Sequence, residues 1–236
     1  MKVAIMQPYF FPYVGYFALV EAVDRFIIFD TPQYDRKGWM NRNRILNPSS
    51  DWQYINAGVL KPRFGASIRD VKLVENSEWK KKLFRQLKHY KKIAPYYSDV
   101  ILHLESVFKP NYLTLIELNI ATLKAVCSIV GIHTPIEVFS DLHLSINPVS
   151  HPGSWALEIS RSLGAKAYTN PINGRKIFEP ERFTSAGICL NFLKHKLPNY
   201  TQGYRPFISG LSIIDVLMFN KPKETREIIC DYELVL

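Results

Sequence analysis

Residues 3–30 read VAIMQPYFFPYVGYFALVEAVDRFIIFD, and this stretch decides the fold. Val3-Ala4-Ile5-Met6 is a short apolar run of the kind a buried strand needs. Pro8 and Pro12 then forbid regular helix. From Gly15 to Val23 the apolar residues Phe17, Leu19, Val20 and Val23 fall near helical spacing, and Arg25 to Asp30 is a second β-rich run ending in a carboxylate. Strand, helix and strand within one short stretch make a βαβ unit with a right-handed crossover. Parallel sheets place ligands outside the carboxyl ends of their strands, where Gln7-Pro8 and Asp30 fall.

Downstream, Gly38 to Leu46 and Gln53 to Leu60 read as extended arms around a Pro48-Ser49-Ser50-Asp51 turn, and Ile68 to Leu73 as a further strand. The pattern becomes helical over Trp79 to Lys92, Tyr96 to Phe108 and Asn111 to Val130, the last stopped by Gly131. Ile136 to Phe139, Ala167 to Thr169 and Ile188 to Phe192 read as strands. Trp155 to Leu163, Ser212 to Phe219 and Lys223 to Cys230 read as helices, the last two closing the chain. The expected fold is α/β and Rossmann-like: a mostly parallel sheet in one domain over residues 1–236, with a helical insert or subdomain at 79–130.

The 236 residues are 47% hydrophobic and 22% charged, which is globular composition and excludes a disordered or collagenous chain. No apolar run reaches the roughly 18 residues of a membrane-spanning helix. The N-terminus lacks the apolar core of a secretory signal. Cys127, Cys189 and Cys230 form neither a metal pair nor a disulfide framework, so a reduced, cytoplasmic protein is expected. Cys127 and Cys189, both in apolar runs, read as core residues. A net charge of +9 favours anionic partners.

Two stretches carry the candidate site. Between Gln7 and Phe17, positions 9, 10, 11, 13, 16 and 17 are aromatic, and such rings make rigid, low-entropy walls for a ligand. Gln7 offers an amide to a sugar hydroxyl or a base, with Tyr9 and Tyr16 as walls. The position resembles the phosphate loop of nucleotidylyl transferases, but there is no HxGH, and no His precedes His89. In the second stretch, Asp30 to Ile45, a carboxylate, amides and guanidinium groups follow a strand. Gln33, Tyr34, Trp39, Asn41, Arg42, Asn43 and Arg44 are its candidate contacts. An extended Gly38 to Ile45 would put Trp39, Asn41 and Asn43 on one face and Arg42 and Arg44 on the other. An Arg fork suits a phosphate or carboxylate. Both stretches also read as ordinary packed loop and solvated hairpin.

These residues resemble the WbqC-like family: Met6 to Phe17, Val23 to Asp30 and Gln33 to Asn43, then Leu163 to Tyr168, Tyr200-Thr201-Gln202 and Leu211 to Leu217. The resemblance spans nearly the whole chain in order. It implies a bacterial protein encoded with surface-polysaccharide genes such as O-antigen clusters, and transfer of an acyl or aminoacyl group onto an amino sugar. Ser150-His151-Pro152-Gly153 departs from the Lys- or Thr-rich helix start of relatives, and no catalytic role is carried over to it.

Elsewhere, Lys80, Lys81, Lys82, Arg85, Lys88, Lys91 and Lys92 form a basic stretch without an acid, with Lys81, Arg85 and Lys88 on one helical side. It reads either as a solvated face or as a dock for an acidic acyl or aminoacyl carrier protein, a lipid headgroup or RNA. No nucleic-acid-binding motif is present, and aromatics do not interleave with the basics. The scattered histidines make no metal motif, and neither metal nor other cofactor is expected. Ser212 with Asp215 resembles a capping box, or Asp215 steadies a substrate amine; Gln202 is the ligand contact expected in the Tyr200-to-Phe207 stretch.

Two functions fit. One is a transferase acting on a nucleotide-linked amino sugar, with Asp30 or His89 as general base, Asn41 and Asn43 as oxyanion donors and Arg42 and Arg44 on the diphosphate. The other is a non-catalytic nucleotide- or sugar-binding protein of the same pathway.

Overall fold

The computed structural model describes residues 1–149, 151–203 and 206–236. Ser150, Tyr204 and Arg205, quoted above in two motifs, lie outside the described residues.

The opening βαβ unit is present as β1 (Lys2–Met6), α1 (Val14–Glu21) and β2 (Arg25–Ile28), the strands parallel with Met6 opposite Ile28. A hairpin follows, β3 (Arg42–Leu46) with β4 (Trp52–Asn56), separate from the main sheet. Next come α2 (Glu78–Leu87), α3 (Tyr97–Phe108) and α4 (Leu115–Val130), then β5 (Ile136–Val138), α5 (Pro152–Ser162), β6 (Ala167–Pro171), α6 (Pro180–Ser185) and β7 (Cys189–His195). The chain closes with α7 (Ile213–Phe219), α8 (Pro222–Ile229) and β8 (Tyr232–Val235). The main sheet has six strands in the order β5–β2–β1–β6–β7–β8, parallel except for the β7–β8 pair. This is a Rossmann-like α/β fold.

The chain runs outward from β1 through β2 to β5, then returns to β6 on the other side of β1. The topological switch point therefore lies between β1 and β6. These two strands pair only through Lys2–Ala167 and Val3–Tyr168, and toward their carboxyl ends the ladder stops. Gln7 is exposed just beyond this parting.

One core packs α1, the hairpin, α2–α4 and α7 on one side of the sheet; the second packs α5 and α6 against Ile5, Ile27, Tyr168 and Phe192 on the other. α4 is well defined by its ends. Thr114 and Glu117 form a capping box, and Gly131 closes the helix in the left-handed region at φ 72°, a conformation that favours glycine.

Several local expectations are corrected. Ile68–Asp70 is a 3₁₀ turn, its neighbours making isolated bridges rather than a strand. The basic helix ends at Leu87 and tightens into a 3₁₀ turn, Lys88–Lys92. The third helix starts at Leu115, four residues later than its apolar pattern suggests, because Thr114 caps it. The chain closes on a strand, β8, not on a helix. Cys127 is buried, and burial pushes its thiol up to about 12; Cys189 is exposed, because its side of β7 faces away from the core.

Candidate active site: an aromatic and arginine patch beside the first strand

The loop after β1 is held to the hairpin by side chain and backbone. Phe10 N–H donates to Trp39 O at 3.1 Å, and Asn43 Nδ2 donates to Phe10 O at 3.1 Å and Phe11 O at 2.6 Å. Ser212 Oγ reaches Phe11 O at 2.8 Å, and Ile213 N–H reaches Pro12 O at 2.9 Å. Phe11 adopts φ 43°, a left-handed conformation costly for an aromatic residue and retained only where surroundings over-determine it. Buried Asn43 is therefore a clamp on the aromatic loop, not an oxyanion donor facing a ligand.

Residues 38–41 form a turn rather than continuing β3, which changes the predicted faces. Trp39 joins Arg42 and Arg44 on the half-exposed side of the hairpin, while Asn43 faces the core. Tyr9 stacks on Trp39 with centroids 6.0 Å apart and planes 17° apart. The Arg44 guanidinium carbon lies 5.4 Å from the Trp39 ring and 5.2 Å from that of Trp52. That of Arg42 lies 4.6 Å from Tyr54 and 5.8 Å from Trp39. Trp52 is 36% exposed. The result is a cation-and-ring surface, the arrangement in which Arg recognises anions while stacking on planar groups.

The arginines are partly committed. Arg42 donates from Nε to Gly38 O at 3.1 Å and from Nη2 to Lys37 O, fixing the turn. Arg44 donates from Nη2 to Gly210 O at 3.3 Å, and its buried Nε has no hydrogen-bond partner among the described residues. The Nη1 groups of both are outside these bonds. Tyr9 carries a raised pKa, chiefly from burial, with Tyr13 adding to the rise and Arg44 opposing it; it stays a neutral phenol at ordinary pH.

The remaining candidates separate into exposed and structural groups. Gln7 and Gln33 are exposed. Tyr16 is buried and donates to Gln7 O at 2.9 Å, so it positions Gln7 rather than walling a cleft. Buried Tyr34 shares backbone pairing with Ala66. Asn41 spans to Ala57 O at 3.4 Å, with Oδ1 buried and unpartnered among the described residues.

Asp30 is 1% exposed. Its carboxylate accepts Ser140 N–H at 3.1 Å and Ser140 Oγ–H at 2.6 Å, on the β5 side of β2 and thus turned from Gln7. His89 sits in the turn after α2, its Nδ1 bonded to Gln86 O at 2.8 Å and its ring against Tyr90 at 4.3 Å.

Gln202 is buried and belongs to a network that sequence reading passed over. Asp215 accepts from Tyr90 Oη, from Tyr200 Oη at 2.6 Å and from Gln202 Nε2 at 2.9 Å. Tyr90 Oη also receives Leu46 N–H at 3.0 Å, and Gln202 pairs with both backbone groups of Ile208. Desolvation pushes the Asp215 carboxyl up to about 6, against the lowering effect of its three donors. Asp215 makes no capping box; Ser212 Oγ accepts Ile214 N–H instead. The network ties β3, the Tyr90 turn, Tyr200, Gln202 and Ile208 to α7. Its partners are scattered in sequence, and only the isolated Asp inside an apolar helix, Ile213-Ile214-Asp215-Val216-Leu217, could have signalled it.

The basic stretch lines an open groove of about 800 Å³ between α2 and α3. Lys81, Arg85 and Lys88 border it with Lys109, and Phe84 and Phe108 contribute apolar surface. Lys80 Nζ donates to Phe108 O at 3.3 Å, and exposed Lys81 pairs with Glu78 at 2.8 Å. Among the described residues no His, Cys, Asp and Glu side chains cluster as a metal-ligand set, and no helix is long and apolar enough to cross a membrane.

Comparison with known proteins returns the model described as the WbqC-like protein family, matching residues 7–227. A curated relative, "Uncharacterized protein Rv1507c" of Mycobacterium tuberculosis (strain ATCC 25618 / H37Rv), is 29% identical over 229 residues, covering 96% of each chain. No solved structure matches significantly.

Proposed function

We propose, for a chain that belongs to the WbqC-like protein family, that it binds a nucleotide-linked amino sugar on the aromatic and arginine patch and transfers an acyl or aminoacyl group to the sugar amine, for a bacterial surface polysaccharide of O-antigen type. The observation that carries the binding half is the placement of Arg42 and Arg44 among Trp39, Trp52 and Tyr54, joined by the Tyr9–Trp39 stack to the loop that begins at exposed Gln7. A nucleotide supplies both groups such a surface favours: a diphosphate for the guanidinium Nη1 donors and a planar base for the rings. In this reading the exposed amides of Gln7 and Gln33 would meet sugar hydroxyls.

The transfer half rests on the family resemblance. The neutral amine attacks the acyl carbonyl of a thioester; the C–N bond forms, the C–S bond breaks, and the amine proton ends on the departing thiol. The donor would be an acidic carrier seated on the Lys81–Arg85–Lys88 groove, whose charge and apolar floor suit an acidic partner. A second reading, binding without chemistry, is favoured by one observation. Asp30 and His89, the groups nominated for the proton, are each engaged by a neighbour, Ser140 and Gln86.

Titration of a nucleotide-linked amino sugar, followed by incubation with a carrier-bound acyl thioester, separates the readings. Binding with N-acylation supports transfer, binding alone supports the second reading, and no binding removes both.

A further inference from the structure

Away from the patch, α3, α4 and α7 enclose a pocket of about 190 Å³. Val100, Leu104 and Val107 line it from α3, Val126 from α4, Leu217 from α7, and the ring-bearing Phe11 from the loop after β1. Its polar side chains are few: Tyr96 just ahead of α3, Asp99 and His103, one turn apart on α3, and Asn220 after α7. An apolar enclosure with a small convergent polar set is the usual form of a small-ligand site.

The volume limits the occupant. A cavity of about 150 Å³ with Leu, Ile and Phe walls takes benzene. This pocket therefore accepts one phenyl-sized or branched aliphatic group and little more. The charge at the opening sets the rest. In a chain of net charge +9, Asp99 is an exposed carboxylate with no ion pair or hydrogen bond among the described residues. It sits in the first turn of α3, where an acid also favours the helix dipole, and that role leaves its outward face open. The nearest cationic residues in sequence beyond Asn220, Lys221 and Lys223, make no ion pair with it.

We propose that this pocket binds a small amphiphilic amine, its apolar group among Leu104, Val126 and Leu217 and its ammonium against Asp99. His103 and Asn220 offer hydrogen bonds to a second polar group on the ligand, which an amino-acid derivative has and a simple arylalkylamine lacks. The inference is independent of the nucleotide-sugar reading, since it uses none of the patch residues. Phe11 is shared only as the pocket's inner wall.

The test uses the full chain and four probes in a thermal-shift titration with NMR confirmation: phenethylamine, L-phenylalaninamide, 3-phenylpropionate and ethanolamine. Phenethylamine is expected to stabilise, while the carboxylate and the ring-free amine leave the melting temperature unchanged. Tighter binding of phenylalaninamide assigns the site to an amino-acid-derived amine, and equal binding to a simple one. Asp99→Asn should weaken the amine about fivefold, the size of one partly exposed ion pair. Ala125→Leu, which fills the pocket from its wall, should abolish binding. Should that variant not fold, competition by benzene, which occupies the apolar part alone, replaces it. Equal stabilisation by 3-phenylpropionate, or amine binding insensitive both to Asp99→Asn and to pocket filling or benzene, overturns the proposal.

Discussion

Asn43 Nδ2 donates to Phe11 O at 2.6 Å, joining β3 of the hairpin to the aromatic loop across 32 positions of sequence. The same amide serves Phe10 O, and its Oδ1 accepts Arg44 N–H at 2.8 Å. One buried side chain thereby holds the left-handed Phe11 and sets the strand that carries Arg44.

Asn43→Ala should therefore cost about 1–3 kcal/mol, because the Phe10 carbonyl loses its side-chain donor and the Phe11 carbonyl keeps only Ser212 Oγ. Asn41→Ala, whose amide makes one long 3.4 Å bond, should cost less. Urea unfolding of both variants checks the order. Equal losses would mean the clamp carries no special weight.

Asp30→Asn should destabilise by about 1–3 kcal/mol, because an amide cannot accept both Ser140 donors. Nucleotide-sugar affinity should survive in the folded fraction, since the carboxylate turns toward β5. If Asp30 nonetheless supplies the base, turnover should fall on the order of 10²–10⁴-fold at unchanged affinity. Calorimetric binding beside an acylation assay distinguishes these outcomes.

The opening βαβ unit was legible because its signals are local: a strand-length apolar run, two prolines and helical spacing. The hairpin was legible too, though its faces were not. The apparent alternation through Gly38 to Ile45 breaks at the 38–41 turn, and this moves Trp39 onto the arginine side. The buried partners of Asn43, Asp30 and Gln202 were not legible for one reason. Each is a polar residue whose partners, Phe11, Ser140 and Asp215, lie far away or in another element, and residue type alone does not tell a ligand contact from a buried clamp. The strand β8 was hidden because Tyr232-Glu233-Leu234-Val235 is four residues long and pairs only at the sheet edge.

Asp215 gives a pH signature. Burial raises its carboxyl in the folded state to about 6, above the ordinary carboxylate range, so the folded state holds the proton more tightly. Its contribution to stability is full below pH 4 and is lost as pH rises through 6, a change of about 3 kcal/mol. His195, whose pKa is lowered mainly by burial, acts oppositely, losing its contribution as pH falls below 6.5. The difference between wild type and Asp215→Asn across pH 4–7 isolates the carboxyl. A constant difference would show that the group does not titrate in this range.

Changing Lys81, Arg85 and Lys88 together to Glu should leave the melting temperature nearly unchanged, since exposed charges contribute little to stability. It should abolish association with an acidic carrier at low salt. Association that persists at low salt would reduce the groove to a solvated face.

The most direct measurement is the affinity of a nucleotide-linked amino sugar for wild type, Arg44→Lys and Arg44→Ala, read by calorimetry and by quenching of tryptophan fluorescence. Arg44 lies between Trp39 and Trp52, so binding should quench their emission. Arg44→Ala should weaken binding about 10–100-fold, the scale of a charge-assisted hydrogen bond. Arg44→Lys, keeping the charge but not the planar fork, should fall between. Wild-type binding that is unaffected by either substitution, or no binding at all, would contradict the assignment of the patch.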